Sequence, residues 1–205
     1  MELYKNFIDE NRVYFEARVS EATKKGFRTL GFPIYSADES FNIVINKKDV
    51  YYLPYCLLLI YLGIGVSRDK TFTKMAFTRL LPNEEAYSDM PTLAYIYAYC
   101  ENRDGNIALS ETILEYLTKQ YYPPALASFG DMMLVKKDQK LSRQYYLESA
   151  NLGHIVAKTR YIRLFKKGTN FFLRLSMHLN VSIKIFLGKA HGEKFLFLDF
   201  YKIQK

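Results

Sequence analysis

The side chains best suited to chemistry in this chain are three histidines and two cysteines, and their spacing matches no metal-binding or catalytic pattern. They are His154, His178, His191, Cys56 and Cys100. Zinc sites place Cys and His ligands in short pairs, which do not occur here. A phosphate-binding loop would need Gly-Lys-Ser or Gly-Lys-Thr after its glycines, and Gly63-Ile-Gly-Val lacks it. The sequence therefore predicts no metal, no cofactor and no enzyme activity.

The same residues fit structural roles. His154 follows Gly153 at the end of a predicted helix, so we expect its ring to cap backbone carbonyl groups there. Both cysteines lie in apolar stretches, which predicts buried thiols in a reducing compartment and no disulfide framework. The N-terminus has no basic region followed by a hydrophobic run. We therefore expect a cytoplasmic protein.

Positive charge is concentrated in the last quarter of the chain, whose net charge is +8 over 205 residues. Residues 156–205 contain 11 Lys and Arg against two Asp and Glu, while residues 1–155 contain 18 against 19. Such asymmetry is typical of contact with an anionic surface, and more often of a solvated basic end without a partner. The side chains expected at an anionic contact are Lys166, Lys167, Arg174, Lys184 and Lys189.

Internal repetition is the main signal for the elements that carry these residues. Pro54, Pro91 and Pro124 each open an apolar stretch, at nearly regular spacing, and a fourth copy would open at Ala157. Proline fits the first turn of a helix, where its missing N–H is not needed. A polar break and a second amphipathic segment follow each opening. The pattern predicts helix–turn–helix units of about 35 residues.

Local signals support these units. Asp69, Asn106 and Asp138 precede the second helices, where we expect their side chains to accept hydrogen bonds from backbone N–H groups. Small residues in the third copy indicate close helix crossings. They are Ala125, Ala127, Gly130, Ala150 and Gly153.

The second helix of the third copy has an apolar face that we expect to be buried. Its members are Leu141, Tyr145 and Leu152.

Three stretches carry a resemblance to a known family. They are Tyr-Leu-Gly-Ile-Gly-Val-Ser-Arg-Asp (61–69), Ala125 with Phe129-Gly130, and Asp138 followed by Tyr145-Tyr146, Ser149-Ala150, Gly153 and Ala157. Together they resemble the Sel-one-like repeat, a relative of the tetratricopeptide repeat, over roughly residues 50–168. The second and third copies lack the Gly-x-Gly loop and are shorter than the family's unit. The resemblance implies protein–protein interaction, in a scaffold or adaptor role.

We therefore predict an all-α fold, a right-handed α-solenoid of helix–turn–helix repeats with a capping N-terminal helix. Residues 1–50 form the cap and its connection, residues 51–168 the repeats, and residues 169–205 a divergent basic segment. The cap is one amphipathic helix over residues 1–25, and a short helix is expected within residues 27–50. Residues 50–66 carry no charge, and Pro54, Gly63 and Gly65 within them favour a buried helix over a membrane span.

The C-terminal segment has two interpretations. Apolar residues alternate between Leu173 and Ile185, which is typical of a strand, while the repeat pattern predicts a helix over residues 171–187. As a helix it would carry two apolar stripes on nearly opposite sides.

The predicted function is a non-catalytic scaffold or adaptor that binds a protein on a curved surface of helices. Tyr95, Tyr97 and Tyr99 are candidate liners of that surface, although three alternate positions cannot share one helical face and some must lie in the core. One alternative is a peripheral membrane accessory protein tethered by residues 166–194. Another is an inhibitor or immunity-type protein that blocks one enzyme. Nucleic-acid binding is less favoured because no recognition motif accompanies the basic residues.

Overall fold

All of the secondary structure that the structure describes is helical. A computed structural model describes residues 1–25, 37–48 and 50–165, and within these ranges there is no strand. The described residues form eleven helices: α1 (Glu2–Glu10), α2 (Arg12–Lys25), α3 (Ala37–Lys47), α4 (Leu53–Leu62), α5 (Lys70–Leu80), α6 (Glu85–Asp89), α7 (Pro91–Arg103), α8 (Ile107–Lys119), α9 (Pro123–Val135), α10 (Gln139–Asn151) and α11 (Ile155–Phe165). The prediction of an all-α fold is confirmed for these ranges, and α3 is the short helix expected within residues 27–50.

The chain divides into two compact units, Met1–Cys100 and Glu101–Lys205, and α7 contains the boundary. In the first unit, aromatic rings from four helices meet in one cluster. Phe15 of α2 lies 6.4 Å from Phe7 of α1, 6.3 Å from Phe41 of α3 and 5.9 Å from Phe72 of α5, measured between ring centroids. Such edge and tilted contacts add to the free energy gained by burying the rings.

The N-terminal segment differs from its prediction because it forms two helices instead of one. Helix α1 ends at Glu10 and α2 begins at Arg12. Asn11 between them has φ of −106° and ψ of 17°, and its side-chain amide donates to the Phe7 carbonyl at 2.8 Å. Phe7 and Phe15 both enter the core, while Leu3 is exposed.

The uncharged stretch around residue 58 is α4, with Pro54 in its first turn and Gly63 at its C-terminal cap. Gly63 has φ of +72°, a conformation that glycine adopts without strain. Among the residues that the structure describes, no helix combines the length and apolar character needed to cross a membrane.

Helices α8 to α11 pack against one another in succession in the second unit. Helix α9 packs against α8 and α10, and α11 packs against α10 and also against α9. The predicted openings at Pro124 and Ala157 lie just inside helices that begin at Pro123 and Ile155. Helices α7, α9 and α11 therefore begin at equal intervals, at positions 91, 123 and 155. We call the spacing from Pro91 to Pro123 the repeat interval.

The same interval separates the turns that lead into α8 and α10. The backbone N–H groups of Asn106 and Asp138 each donate to the carbonyl five residues earlier, at 2.9 and 2.8 Å. The preceding residues, Gly105 and Lys137, have positive φ values of 92° and 63°. The two turns thus share one backbone conformation and lie one repeat interval apart.

The turns that lead into α9 and α11 also match. Tyr122 and His154 each donate their backbone N–H to the carbonyl five residues earlier, at 2.9 and 3.1 Å. Before them, Tyr121 and Gly153 have positive φ values of 55° and 95°. A Cβ on Gly153 would meet nothing within 4 Å. The prediction that Gly153 allows close helix packing is therefore wrong. Glycine suits this position because it adopts a positive φ without strain.

Helices α5, α8 and α10, which are the second helices of the predicted helix–turn–helix units, bury corresponding residues. Counted from the cap residue before each helix, the fourth, eighth and eleventh side chains are fully buried. They are Thr73, Phe77 and Leu80; Ser110, Leu114 and Leu117; and Ser142, Tyr146 and Ser149.

This pattern corrects the predicted face of α10. Leu141 and Leu152 are exposed and Tyr145 is partly exposed, while Tyr146 is the buried tyrosine. The physical reason is the close approach at Gly130, where a Cβ would lie 3.0 Å from the Tyr146 ring. The prediction that Gly130 marks a close helix crossing is confirmed.

Candidate functional site in the second unit

A buried charged network joins three helices of the second unit. Asp131 of α9 is 1% exposed, and its carboxylate pairs with the Arg160 guanidinium of α11. The same carboxylate accepts a hydrogen bond from the Tyr146 hydroxyl of α10. Burial, and then the Asp131 charge, raise the pKa of Tyr146 well above its usual value. The tyrosine therefore stays protonated and acts as a hydrogen-bond donor.

The network has the chemistry of a structural tie between helices. An aspartate without its partners would be an uncompensated buried charge, which destabilises a fold by about 3–5 kcal/mol. Arg160 and Tyr146 supply the counter-charge and the donor from two other helices. We infer that this network holds α11 on the α9–α10 hairpin.

A second buried group lies at the start of α11. His154 is 2% exposed, and its Nδ1 accepts a hydrogen bond from the Ala157 N–H at 3.3 Å. The Ser149 hydroxyl lies 3.0 Å from the same nitrogen and donates to the Pro123 carbonyl at 2.6 Å. The ring thus caps amide groups of α11. The predicted capping of carbonyl groups by this ring is wrong, because His154 is the residue that immediately precedes α11 and caps its N-terminus.

The environment of His154 favours its neutral form. Burial, and then the positive charge of Arg160, lower the pKa of His154 to about 4. A neutral ring that accepts at Nδ1 carries its proton on Nε2. Nε2 is buried and has no hydrogen-bond partner among the residues that the structure describes.

The predicted caps of the second helices have two outcomes. The carboxylates of Asp69 and Asp138 accept hydrogen bonds from the Phe72 and Leu141 N–H groups, at 2.9 and 3.0 Å, as predicted. Asn106 occupies the cap position of α8 without a side-chain capping bond. Its amide instead donates to the carboxylate of Glu101, a buried residue at the end of α7.

In the first unit, Asp69 also binds the N-terminal segment. The Tyr14 hydroxyl of α2 donates to its carboxylate at 3.0 Å, and the Tyr14 ring stacks on Phe72 with centroids 3.7 Å apart. Burial, and then the hydrogen bond to Asp69, raise the pKa of Tyr14 to about 12. One carboxylate therefore caps α5 and holds α2 against it.

The predicted partner-binding tyrosines lie mostly in the core. Tyr95 and Tyr99 are 2% and 6% exposed, so their assignment as liners of an open surface is wrong. Tyr97 is partly exposed, and its ring lies 5.0 Å from the Phe77 ring. The reason is the helical period: positions 95 and 99 are four residues apart and share the buried face, while 97 points elsewhere.

The expected anionic contact lies outside the described residues. This holds for Lys166, Lys167, Arg174, Lys184 and Lys189, and also for the helix-or-strand question over residues 171–187. Within the described ranges, no group of three or more His, Cys, Asp and Glu side chains is arranged to hold a metal ion.

Exposed apolar side chains recur beside the turns of the second unit. Leu109 and Leu141 are 38% and 40% exposed, and each is the third residue after its cap. Ile107 and Val135 lie next to the same two turns and are also exposed. We call these four residues the turn edge. Sequence reasoning missed it, because the sequence pattern places Leu141 on a face that is predicted to be buried.

Sequence reasoning also missed the buried network of Asp131, Tyr146 and Arg160. The one available signal was Asp131 itself, a carboxylate within the otherwise apolar sequence of α9. Comparisons of the chain with protein families, with curated proteins and with solved structures give no match.

Proposed function

We propose that this chain is a non-catalytic helical-repeat protein that holds a protein partner, in a scaffold or adaptor role. The observation that carries the proposal is the recurrence of turn conformation at the repeat interval within residues 101–154. Recurrence of that kind is typical of solenoids, in which each unit contacts its neighbours and extended surfaces serve for binding. The resemblance to Sel-one-like repeats points the same way.

The packing of the second unit supports a stack of repeats. Helix α9, as the first helix of one repeat, contacts α10, the second helix of the same repeat, and also α11, the first helix of the next repeat. In a right-handed solenoid each first helix makes both contacts. The corresponding burial in α5, α8 and α10 is what stacking of equivalent hairpins would require.

The use of buried polar groups supports binding over catalysis. Asp131, Arg160 and Tyr146 are bonded to one another, and Ser149 donates to a backbone carbonyl. A catalytic group must be able to reach a substrate in a cleft. These groups instead connect helices, so the chemistry of the described residues fits a binding protein.

The turn edge is the surface that we propose for the partner. Leucine side chains exposed at matching positions in two repeats offer a repeated apolar contact, and burial of apolar surface is the main favourable term in most protein–protein association. The double variant Leu109→Glu, Leu141→Glu would place two charges in that contact while leaving the buried positions unchanged.

The test starts from affinity purification of the tagged full chain from its own cells. We expect one protein at a stoichiometric ratio, and its loss with the turn-edge double variant. The control is Leu3→Glu, Met75→Glu, which alters two equally exposed apolar side chains of the first unit. Binding of the purified partner should weaken at least tenfold, or by about 1.4 kcal/mol, in the turn-edge variant only. Equal affinity for both variants would overturn the proposed surface.

A wild-type chain that retains no stoichiometric protein would contradict the proposed function itself. If the partner is an enzyme that loses activity on binding, the inhibitor or immunity-type role is favoured over a scaffold role.

Membrane association is a second candidate, and the charge asymmetry of residues 156–205 favours it. Replacing Lys166, Lys167, Arg174, Lys184 and Lys189 by Gln in the full chain removes the predicted contact with anionic lipid. Flotation with vesicles that contain phosphatidylserine should then separate the wild type, which binds, from the variant, which does not. A wild-type chain that stays unbound excludes this candidate.

A further inference from the structure

The outward faces of α8 and α10 carry opposite charges at corresponding positions. One repeat interval separates Glu111 of α8 from Arg143 of α10, and the same interval separates Ala108 from Lys140. One helical turn further, Glu115 corresponds to Leu147. Successive repeats therefore present an acidic and then a basic patch. We call Glu111 and Glu115 the acidic face, and Lys140 and Arg143 the basic face.

Both faces are directed to solvent. Helices α8 and α10 each pack against α9 and bury the same register positions. In the stack of repeats proposed above they are neighbouring second helices, so their opposite sides lie on one outward surface, and the inference rests on that stack. Glu115, Lys140 and Arg143 are exposed, and Glu111 is partly exposed.

The charges of the two faces are largely unengaged within the chain. Lys140, Arg143 and Glu111 form no ion pair with any described residue. Glu115 pairs with Lys119 one turn along α8, and both side chains of that pair are well exposed. An exposed pair of this kind is worth little, so Glu115 stays available to another cation.

We propose that these faces form a two-fold interface between two copies of this chain. A two-fold interface uses the same surface on both subunits, so that surface must be complementary to itself. An acidic face beside a basic face meets this condition, because a two-fold axis running between α8 and α10 brings each acidic face against the partner's basic face. Leu147 lies on the outward side of α10 with Lys140 and Arg143 and is 40% exposed, which adds an apolar contact.

Other occupants fit this surface less well. An anionic membrane or an acidic peptide attracted by Lys140 and Arg143 would be repelled by Glu111 and Glu115 on the neighbouring second helix. A second copy is the partner whose charge pattern the chain itself guarantees. The interface is held by exposed ion pairs, so it is weak and strongly dependent on salt.

The experiment is sedimentation equilibrium of the full chain over about a hundredfold range of concentration. At low salt the wild type should shift with concentration from 24.1 kDa towards twice that mass. The basic-face variant, Lys140→Glu with Arg143→Glu, and the acidic-face variant, Glu111→Lys with Glu115→Lys, should each stay at 24.1 kDa.

Mixing the two variants gives the sharpest result. One variant then has two acidic faces and the other two basic faces, so an equimolar mixture should recover the wild-type dimer mass as a heterodimer. The matched control is Lys5→Glu with Lys24→Glu, which reverses two exposed charges of the first unit and should dimerise like the wild type. Circular dichroism verifies that each variant is folded. If the basic-face variant is not folded, Lys140→Gln with Arg143→Gln takes its place.

A wild-type chain at monomer mass at every concentration would overturn the proposal. So would a dimer that persists in both variants, or variants that fail to associate when mixed. None of these results bears on a heterologous partner at the turn edge, so the proposed function is tested separately.

Discussion

His154 contributes to the pH dependence of the folding stability of this protein, and Asn in its place should remove that contribution. The ring is buried, its pKa in the folded chain is about 4, and the value in an unfolded chain is 6.5. Protonation would add a proton at Nδ1, which faces the Ala157 N–H and could no longer accept from it. Asparagine keeps an acceptor at the start of α11 and does not titrate.

The sign and size follow from linkage. Between pH 6.5 and pH 4 the unfolded chain binds the proton and the folded chain does not, so the free energy of unfolding falls as the pH falls through this range. The contribution of His154 is complete above pH 6.5 and lost by about pH 4. The difference between the two pKa values corresponds to about 3 kcal/mol, as an order of magnitude.

Urea unfolding of the full chain at several pH values measures this effect. Between pH 6.5 and pH 4 the wild type should lose about 3 kcal/mol more than His154→Asn, which corresponds to uptake of about one proton on unfolding. Carboxylates titrate in both proteins, so the difference between them isolates the histidine.

The matched control is Ile113→Val, which shortens a buried side chain of α8 that does not titrate. It should lower stability by about 1 kcal/mol at every pH and leave the wild-type slope unchanged. Parallel pH profiles for the wild type and His154→Asn would refute the reasoning. They would mean that the ring is hydrated or already protonated in the folded chain.

Four further substitutions should change the urea midpoint without changing the m-value. Tyr146→Phe removes the hydroxyl that donates to the buried Asp131 carboxylate and should cost about 1.5–3 kcal/mol; an unchanged midpoint would mean that water replaces the hydroxyl. Gly130→Ala places a Cβ against the Tyr146 ring and should cost about 1–3 kcal/mol, and a stabilised variant would contradict the close contact. Lys137→Gly relieves a positive φ and should raise the midpoint; a lower midpoint would show that chain entropy outweighs the strain. Asp138→Ala removes the cap of α10 and should cost about 0.5–2 kcal/mol, unlike Asp138→Asn, which keeps an acceptor.

The features that could be predicted from the sequence are those encoded by a few neighbouring residues. Pro91 and Pro54 mark first turns of helices, and Asp69 and Asp138 cap the helices expected to follow them. Each signal depends on backbone groups within about one turn, so it is independent of the rest of the chain.

The register of α10 could not be predicted in the same way. Tyr145 and Tyr146 are identical in type and adjacent, so hydrophobic pattern cannot tell which one is buried. The choice depends on Gly130, which lies on another helix and leaves room for a ring. Contacts between residues distant in sequence decide such cases.

The ion pair of Asp131 and Arg160 was hidden for a related reason. The two residues are far apart in sequence and come into contact only because α11 packs back on α9. Likewise, the core position of Tyr95 and Tyr99 depends on which side of α7 the fold covers. Aromatic residues at alternate positions offered no means of choosing that side.

Residues one repeat interval apart show which features recur and which differ. Alignment of the prolines pairs Pro91 with Pro124, whereas the helix starts pair Pro91 with Pro123, so the true interval is shorter than the proline spacing suggests. In each of the two pairs of matching turns, both turns have a residue with positive φ, although that residue is glycine in only one turn of each pair. A lysine or tyrosine in that conformation is strained by roughly 1–2 kcal/mol.

That strain persists because the turn determines where the next helix lies, and a different turn would displace every buried contact after it. Buried positions are constrained for the same reason, and Ser110 and Ser142 match as small hydroxyl residues. Outward positions carry no such constraint, so Glu111 and Arg143 can differ in sign while the units keep one backbone. Under the proposed scaffold function, the differences between equivalent outward residues are where specificity for a partner should be sought.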